Sequence, residues 1–353
     1  MLATLHEMFP QAPIFTAMWN RSKVARFQEC EVHTSWMQSL PGISRAPRAY
    51  AALYPLAFAR MDLRDFDLII SSTSSFAQGI HTRTDALHIC YCHSPSNFVW
   101  RPRGYFRSPA IRAMATPLRL WLKAWERQAA KQPDHYIANG HEVAGRIRAF
   151  YHRDAAVVPP PIADAWFVPH HSDDFHLVVS RLVEQKRVDL AIQACERLGL
   201  PLWIVGEGRA GASLRANAGP NTRFLGSVTD GELRRLYARA RAVLVPAEED
   251  FGIVPLEAQA AGTPIIAYDA GGARETVVDG VTGIRFAPQT VEVLAEAITA
   301  AASRQWDRRR IQANAARFTE SRFKRDMLAL IERYDEGRRS SAQLERRKRL
   351  SVV

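Results

Sequence analysis

Short apolar runs rich in β-branched residues alternate with helix-like stretches from about residue 66 onward, which predicts parallel sheets with helices on both faces. The runs that predict buried strands are 66–70, 87–92, 134–138, 175–180, 201–206, 242–246 and 264–268. The stretch PPPI at 159–162 cannot continue a helix or a central strand, and it divides the series in two. We therefore expect an α/β chain with two doubly wound, Rossmann-like domains that face each other across a cleft.

Length and composition agree with two globular domains. At 353 residues the chain is long for one domain, and its hydrophobic share of 47% is sufficient for substantial cores. The sequence has no apolar run of about 18 residues, and the first residues, with His6 and Glu7, do not resemble a signal peptide. The cysteines lack metal-ligand spacing, and Cys90 and Cys92 fall in an apolar run, so we expect buried, reduced thiols.

The net charge of +11 is concentrated in two segments. Residues 101–131 hold eight basic side chains and one acid, Glu126. Residues 338–350 hold six basic side chains and one acid, Glu345. Such segments suit an anionic membrane surface or a nucleic acid.

The first basic segment also has a helical pattern. Its apolar residues at helical spacing are Ile111, Met114, Leu118, Trp121, Leu122 and Trp125. Arg119, Lys123 and Arg127 recur every four residues on another face, and Pro117 is expected to break or kink the helix. The pattern fits either an interfacial helix with aromatic anchors or an ordinary amphipathic helix packed on its own sheet.

Two cations follow the strand predicted at 175–180. Arg181 comes directly after that strand, and Lys186 precedes the next helical stretch. Because the ligand crevice of a doubly wound sheet lies at the carboxyl ends of its strands, both side chains could reach one anion; a solvated helix start is the alternative. The glycines of VGEGRAG, beginning with Gly206, loosely resemble a phosphate-binding loop, although turns alone also demand glycine.

Acidic residues flank a turn in the stretch EEDFGIVPLE, residues 248–257. Glu249 and Glu257 lie on either side of Gly252, which frees the backbone, and of Pro255, which suits the first turn of a helix. Farther along, the pair Gly271–Gly272 predicts either a tight turn or a backbone that closely approaches a ligand.

Other polar residues lie at predicted strand ends. His93 follows the strand at 87–92, where it either faces the cleft or serves a structural purpose. Asp65 and Asp67 lie at a strand entrance, opposite the crevice, which argues against a metal site there. We expect no zinc site, because the sequence has no ligand cluster with the required spacing.

The stretches RLVEQKRVDLAIQA, VGEG and EDFGIVPLEAQAAGTPIIAYDAGGARETVVDGVTG together resemble glycosyltransferase family 4, retaining enzymes of the GT-B fold. The Glu-x7-Glu signature of that family matches Glu249 and Glu257 rather than Glu248 or Asp250. FPQAPIFTA, DLIISSTSS, ICYCHSPSNFVW and IANGHEVAGRI are most similar to bacterial mannosyltransferases of O-antigen and other surface-polysaccharide clusters. The resemblance covers nearly the entire chain.

The resemblance implies an acceptor-side domain over residues 1–165 and a nucleotide-sugar-binding domain over 166–318. Residues 319–353 would form a helix that returns to the N-terminal domain, followed by the basic tail. The first strand and Gly-rich loop of the family are expected before Met1, so the N-terminal domain would lack them. Gln78 and Gly140 stand where the resemblance leads us to expect Lys and Ser.

The resemblance also implies roles on the diphosphate side of the donor. Arg181 and Lys186 would stabilise the charge that grows on the departing diphosphate, together with backbone N–H groups at a helix beginning near Gly252, Ile253 and Val254. That arrangement would take the place of a metal ion. Gly206 is expected to contribute to nucleotide binding.

Three further roles follow from the same resemblance. Glu249 would accept hydrogen bonds from hydroxyls of the donor sugar and orient its anomeric carbon. Glu257 would bind the ribose hydroxyls of the nucleotide. His93 would lie beside the transferred sugar and stabilise developing positive charge through its backbone carbonyl.

The function implied is a metal-independent hexosyltransferase that moves mannose from GDP-mannose to a lipid-linked glycan or a growing surface polysaccharide. It would need no cofactor, would bind no nucleic acid, and would act in the cytoplasm at the inner face of the cytoplasmic membrane. The alternative is an N-terminally truncated, catalytically silent protein that binds nucleotide sugars.

Overall fold

The computed structural model describes residues 1–21, 27–105, 108–169, 171 and 173–350, without the side chains of residues 103, 104 and 340–350. It divides into two compact units. Unit 1 comprises residues 1–159 and 324–353, and unit 2 comprises Pro160–Phe323. The domain boundaries expected from the sequence, 165/166 and 318/319, stay predictions.

The strands and helices alternate along most of the chain. The strands of unit 1 are β1 (Ile14–Thr16), β2 (Val32–Thr34), β3 (Leu68–Thr73), β4 (Leu87–Cys92), β5 (His135–Ala138) and β6 (Ala155–Val157). Those of unit 2 are β7 (His176–Val179), β8 (Leu202–Val205), β9 (Thr222–Gly226), β10 (Ala242–Val245), β11 (Ile265–Tyr268) and β12 (Gly283–Phe286).

The α-helices fall in both units. Those of unit 1 are α1 (Leu2–Met8), α2 (Tyr54–Ala59), α3 (Asn97–Trp100), α4 (Pro102–Tyr105), α5 (Pro109–Met114), α6 (Thr116–Ala129) and α7 (His141–Tyr151). Those of unit 2 are α8 (Val188–Leu198), α9 (Gly211–Ala216), α10 (Asp230–Arg239), α11 (Ile253–Ala260), α12 (Ala273–Thr276), α13 (Val291–Ala302) and α14 (Arg308–Ala315). The last helix, α15 (Glu320–Leu350), begins in unit 2 and continues in unit 1.

Unit 1 contains a four-stranded parallel sheet in the order β3-β4-β5-β6, and β1 pairs with β2 in a separate parallel sheet. Every residue of β4 is buried, because this strand lies between β3 and β5. The helix α15 packs on this unit: Tyr334 stacks on the ring of His135 with 3.7 Å between centroids, and Lys324 Nζ lies 2.9 Å from Glu7 Oε2.

The segment predicted as one amphipathic helix at 110–131 is two helices. The chain breaks at Ala115, and Pro117 occupies the first turn of α6, where a missing N–H costs nothing. The expected apolar face is also divided. Leu122 is buried against Phe76, with Trp125 packed beside it, whereas four other members of the predicted set are exposed. Those four are Ile111, Met114, Leu118 and Trp121.

Unit 2 contains a six-stranded parallel sheet in the order β12-β11-β10-β7-β8-β9. The central strands β7 and β10 lie side by side where the strand order reverses, which is the ligand-binding position of a doubly wound sheet. Successive residues of β7 pack into the cores on opposite faces of the sheet. Val178 packs with α8 and α13, and Leu177 packs with Tyr237 of α10. Helices therefore cover both faces, as predicted.

Two other expectations can be compared with the described residues. No disulfide joins the cysteines; Cys90, Cys92 and Cys195 are buried thiols and Cys30 is half-buried, with its Sγ 3.1 Å from His6 Nε2. Among the helices described, none combines the length and apolarity needed to span a bilayer. The basic tail lies mostly outside the described side chains, although Arg338 and Arg339 both pair with Asp335.

Candidate active site

A cavity of about 210 Å³ lies at the carboxyl ends of β7 and β10 in unit 2. The residues that line it come from three places: the end of β7 and the chain after it, the end of β10 and the chain after it, and the first turn of α11. Six predicted site residues are among them: Arg181, Lys186, Glu249, Gly252, Ile253 and Val254. Residues that are 63 or more positions apart in sequence thus meet, because parallel strands end at the same edge of the sheet.

Lys186 and Glu249 form an ion pair across this cavity. The ammonium contacts both carboxylate oxygens, and the two side chains are only 21% and 24% exposed. A pair this shielded from water interacts more strongly than a surface pair. The sequence predicted separate contacts for these residues, one with diphosphate and one with the sugar, and did not anticipate that they bind each other.

Arg181 completes the cationic side of the cavity. Within the described part of the chain its guanidinium has no hydrogen bond or ion pair, and the residue is exposed. A guanidinium can donate two parallel hydrogen bonds to a phosphate. Arg181 is therefore available to an anion that enters the cavity.

The helix α11 directs its N-terminus at the same cavity. Gly252 is its N-cap with φ of +91°, a conformation that favours glycine, and it offers no side-chain acceptor to the first N–H groups. The first turn contains no acidic residue. The buried ring of Phe251 packs edge-to-face on Phe318, 6.0 Å between centroids, and so anchors the turn. This end of the helix suits a negative charge.

The pair Gly271–Gly272 holds the loop that carries Glu249. Gly272 N–H donates to the Glu249 carbonyl at 2.8 Å, and residues 249 and 271 form an isolated parallel bridge. A Cβ at either glycine would collide with the backbone of Glu249 or Phe251. Of the two interpretations of this pair, the structure supports a tight turn, and the backbone that it approaches is the loop of the protein itself.

Gly206 does not line the cavity. It follows β8 with φ of +122°, and a Cβ there would overlap the Ser180 carbonyl. The glycine therefore permits the turn after β8 to pack against the turn after β7, which positions Ser180 and Arg181. Its expected contact with a nucleotide stays a prediction.

Glu257 lies in α11 and also does not line the cavity. Its Oε2 accepts a hydrogen bond from the hydroxyl of Tyr237 at 3.0 Å. Burial, assisted by the charge of Asp230 and opposed by that hydrogen bond, raises the pKa of Glu257 to about 7. Near neutral pH this carboxyl therefore exists in both protonation states.

His93 lies in unit 1, directly after β4. Its Nε2 is 3.0 Å from Ser72 Oγ, and its backbone carbonyl accepts a hydrogen bond from Asn139 Nδ2 at 2.9 Å. Burial lowers the pKa of His93 to about 4, so the imidazole is neutral at physiological pH. The roles predicted for His93 and Glu257 stay predictions.

Matches to known protein families identify the class of protein to which this chain belongs. The description "Glycosyltransferase Family 4" matches residues 5–166, and "Glycosyl transferases group 1" matches residues 167–318. The chain belongs to the glycosyltransferases.

Two curated relatives agree with this membership. Glycogen synthase of Mycobacterium tuberculosis is 41% identical over 138 residues, 35% of this chain and 32% of that protein. D-inositol 3-phosphate glycosyltransferase of Actinosynnema mirum is 30% identical over 210 residues, 49% of this chain and 50% of that protein. The matches thus span half or less of the length of these relatives.

Solved structures confirm the predicted GT-B fold of this glycosyltransferase. Anabaena HepE, solved in complex with UDP and glucose, has a TM-score of 0.67 at 16% identity, over 94% of each chain. Sucrose-phosphate synthase of Thermosynechococcus elongatus has a TM-score of 0.67 at 19% identity, over 87% of this chain and 84% of that one. At such identities the likeness concerns the fold alone.

One buried group of this glycosyltransferase was missed in the sequence, where Glu126 was only a lone acid among cations. It is fully buried and accepts hydrogen bonds from Ser96 Oγ, from Trp100 Nε1 at 2.5 Å and from Tyr151 OH at 3.0 Å. These bonds join α6 and α7 to the chain that follows His93. The signal available in the sequence was an acid on the apolar side of a basic helix.

The described part of this glycosyltransferase contains no cluster of three or more potential metal ligands. Asp67, one of the two aspartates at the entrance of β3, forms an ion pair with Arg83 at 2.5 Å.

Proposed function

We propose that this glycosyltransferase moves a sugar from a nucleotide-diphosphate sugar to an acceptor with retention of anomeric configuration. The observation that carries the proposal is the meeting of Arg181, Lys186, Glu249 and the N-terminus of α11 at one cavity. Cations and a helix N-terminus suit a diphosphate, and a carboxylate suits sugar hydroxyls.

The chemistry follows from where charge develops. When the bond between the sugar and the diphosphate breaks, negative charge grows on the diphosphate oxygens. Arg181, Lys186 and the first N–H groups of α11 stabilise that charge more in the transition state than in the bound donor, which accelerates the reaction. The departing diphosphate helps to deprotonate the acceptor hydroxyl on the same face of the sugar.

Donor binding is expected to separate the Lys186–Glu249 ion pair. A diphosphate competes with Glu249 for the ammonium, and hydroxyls of the donor sugar then donate hydrogen bonds to the carboxylate. Donor binding thus replaces the contact between Lys186 and Glu249 with two others: one from Lys186 to the diphosphate and one from the sugar hydroxyls to Glu249. Free nucleoside diphosphate has no sugar and supplies only the first of these contacts.

Substitution of the cavity residues tests the proposal. Lys186→Ala and Arg181→Ala should each weaken the binding of a nucleoside diphosphate by about 1.5–3 kcal/mol, roughly 10- to 150-fold, as expected for a lost charged hydrogen bond. Arg209→Ala is the matched control, because Arg209 also lies in unit 2 but pairs with Glu184 outside the cavity. Unchanged transfer by a Glu249→Ala protein would refute the mechanism.

For the donor we propose GDP-mannose. The support is the resemblance of several N-terminal stretches to mannosyltransferases; the solved HepE complex contains UDP and glucose, which makes UDP-glucose the informative competitor. Thermal unfolding with each nucleotide sugar measures the preference, since a ligand stabilises the fold according to its affinity. A larger shift with UDP-glucose than with GDP-mannose would overturn the choice.

A catalytically silent nucleotide-sugar-binding protein is the second candidate, because the cations, the carboxylate and the helix N-terminus at the cavity could bind a donor without transferring its sugar. The two candidates differ in turnover. A silent protein binds GDP-mannose but releases no GDP in the presence of a membrane extract that contains glycan acceptors, whereas the proposed enzyme releases it continuously.

For the acceptor we propose a lipid-linked glycan or a growing polysaccharide at the inner face of the cytoplasmic membrane. The support is an exposed apolar surface on α5 and α6, named here the α5–α6 surface. It comprises Ile111, Met114, Leu118, Leu120 and Trp121, which are 39% to 78% exposed. Basic residues lie nearby, and two of them, Lys123 and Arg127, stack over Trp100. Apolar anchors with adjacent cations fit an anionic bilayer.

Flotation with vesicles tests the α5–α6 surface. The protein should float with vesicles that contain anionic lipid and much less with neutral ones, and Trp121→Ser should reduce recovery. Trp36→Ser is the matched control, because Trp36 is a similarly exposed tryptophan of unit 1 outside this surface. Equal recovery of wild type and Trp121→Ser would argue against membrane docking here.

A further inference from the structure

A second polar cavity of unit 2, of about 320 Å³, lies where β7 and β10 begin. Arg241 precedes β10, Arg304 follows α13, and Arg308 opens α14. These three arginines line the cavity together with His176, and the acid that lines it is Asp174. The volume falls near the lower end of the ~300–1,000 Å³ of small-molecule sites.

The arginines are held in place but are not neutralised. Arg308 Nη1 donates to the Gly262 carbonyl at 3.0 Å, and the guanidinium of Arg304 lies over the ring of Trp306, 5.2 Å from its centroid. Asp174 is 3.8 Å from Arg241, but its side chain is 98% exposed, so this contact screens little charge. Three guanidiniums against one carboxylate leave an excess of two positive charges.

His176 gives a second, independent indication of a ligand. Its side chain is buried at 2% exposure, and Nδ1 has no hydrogen-bond partner in the described part of the chain. Such orphaned polar atoms are uncommon in protein interiors and call for a partner. Burial lowers the pKa of His176 to about 4, so the ring is neutral and carries one N–H donor.

We propose that this cavity binds the phosphoryl group of a small phosphorylated metabolite, at a site separate from the donor site. A phosphoryl dianion matches the excess of two charges, and its three oxygens can accept hydrogen bonds from several guanidiniums, whereas a carboxylate offers one charge and two oxygens. The two sites occupy opposite ends of β7 and β10. Each strand has four residues, so its first and last Cα atoms lie about 10 Å apart.

Histidine NMR tests the proposal on the full chain. Inorganic phosphate should shift the Nδ1 signal of His176 saturably, with the signal assigned through His176→Gln. The shift should persist in Arg181→Ala, which changes only the donor cavity. Absence of a saturable shift would overturn the proposal.

Substitution identifies the cations that bind the phosphate. The double variant Arg241→Ala/Arg304→Ala should weaken phosphate binding at least about tenfold, whereas Arg309→Ala/Arg310→Ala, which removes two arginines outside the cavity, should change it less than about twofold. If the first double variant does not fold, Arg304→Gln alone, at an exposed residue, should still weaken binding. Undiminished affinity in the folded variant contradicts the site.

A comparison of ligands tests the metabolite. Glucose 1-phosphate should bind more tightly than inorganic phosphate, because the remaining cavity can hold an organic group. Equal or weaker binding would overturn the assignment to a phosphorylated metabolite. Activity is not needed for any of these measurements, so they are independent of the proposed sugar transfer.

Discussion

The ion pair of Lys186 and Glu249 makes the effect of single substitutions at the cavity depend on which part of a donor is present. Lys186 is electrically matched by a carboxylate before any phosphate arrives. A phosphate must therefore compete with that carboxylate. Removing Glu249 removes the competitor but also removes the predicted acceptor of sugar hydroxyls.

Glu249→Gln should consequently have opposite effects on binding and on catalysis. We expect binding of free UDP or GDP to tighten by about 1 kcal/mol, roughly fivefold, because a negative charge beside Lys186 is lost, while sugar transfer falls. Calorimetric titration measures the first quantity. Glu292→Gln, at an exposed acid of the same unit, should leave it unchanged. Weaker binding by Glu249→Gln would show that the carboxylate does not compete with the phosphate.

Glu257 should make donor affinity depend on pH. Its pKa is raised to about 7, and ribose hydroxyls donate hydrogen bonds to the ionised carboxylate more favourably than to the protonated acid. Affinity for a nucleotide sugar should therefore increase from pH 6 to pH 8, and Glu257→Gln should remove the increase. A nucleotide sugar is the appropriate probe, since the terminal phosphate of a nucleoside diphosphate itself titrates near pH 6. A wild-type profile that is flat would contradict the ribose contact.

The elements that sequence reasoning recovered and those that it missed differ in their place in the sheets. The run LHICYC corresponds to β4, and the runs for β7, β8, β10 and β11 also match, because interior strands are buried on both faces and have continuous apolar sequence. One edge strand, β3, was recovered from the run at 66–70, but the missed strands β1, β2, β6, β9 and β12 also lie at sheet edges. Their half-exposed positions admit polar residues such as Arg223 and Arg285, which interrupt the apolar signal.

The same limit applies to the candidate site. Strand ends placed Arg181 and Lys186 near one another, since topology determines where parallel strands end, and the family resemblance added Glu249. Pairing between side chains is decided by tertiary distances that no local pattern contains. The Lys186–Glu249 contact and the hydrogen bonds to Glu126 are pairings of this kind, and the sequence did not predict them.

Glu126 should be a major contributor to the stability of unit 1. Glu126→Ala leaves three donors without an acceptor, two of them on buried residues, and creates a cavity, so we expect a loss of about 3–5 kcal/mol in the free energy of unfolding. Glu126→Gln retains one acceptor oxygen and should cost less. Denaturant titration measures both, and Gln128→Ala, at an exposed position of α6, should stay within about 0.5 kcal/mol of wild type.

The pH dependence of that stability has a definite sign. Burial raises the pKa of Glu126 to about 7, so the folded chain keeps the proton to higher pH than the unfolded chain does. The free energy of unfolding should therefore fall as the pH rises from about 4.5 to about 7, by about 1.4 kcal/mol for each unit of the shift, and level off above that. In Glu126→Gln this fall should be smaller; an equal fall would assign it to other groups.

For the whole molecule, two units with separate cores predict two steps of unfolding. The clusters around Val178 and Leu177 belong to unit 2, and the cluster around Tyr136 belongs to unit 1. Such chains commonly depart from two-state behaviour. Calorimetry should resolve two transitions, and GDP at 100 times its Kd should stabilise only the unit that binds it, by about 2.7 kcal/mol. A single transition would show that the units unfold together.

The assignment of that ligand-dependent transition can be checked in the same experiment. Glu126→Gln should lower the transition of unit 1, whereas Lys186→Ala should reduce the GDP-dependent stabilisation of the other unit, at the same GDP concentration, to about 0.3–1.4 kcal/mol. If GDP shifts the transition that Glu126→Gln lowers, the nucleotide does not bind where we propose.

The contact between Gly271–Gly272 and the loop of Glu249 has a consequence for protein engineering. The conformation of the stretch EEDFGIVPLE is not determined by its own sequence alone, because the turn Gly271–Gly272 after β11 binds and packs against its backbone. This decapeptide, grafted into another scaffold, would lack the contact with Gly271–Gly272 that holds its backbone in place. The transferable part is the whole span from the end of β10 to the beginning of α12, and directed evolution of donor choice should treat residues 246–273 as one module.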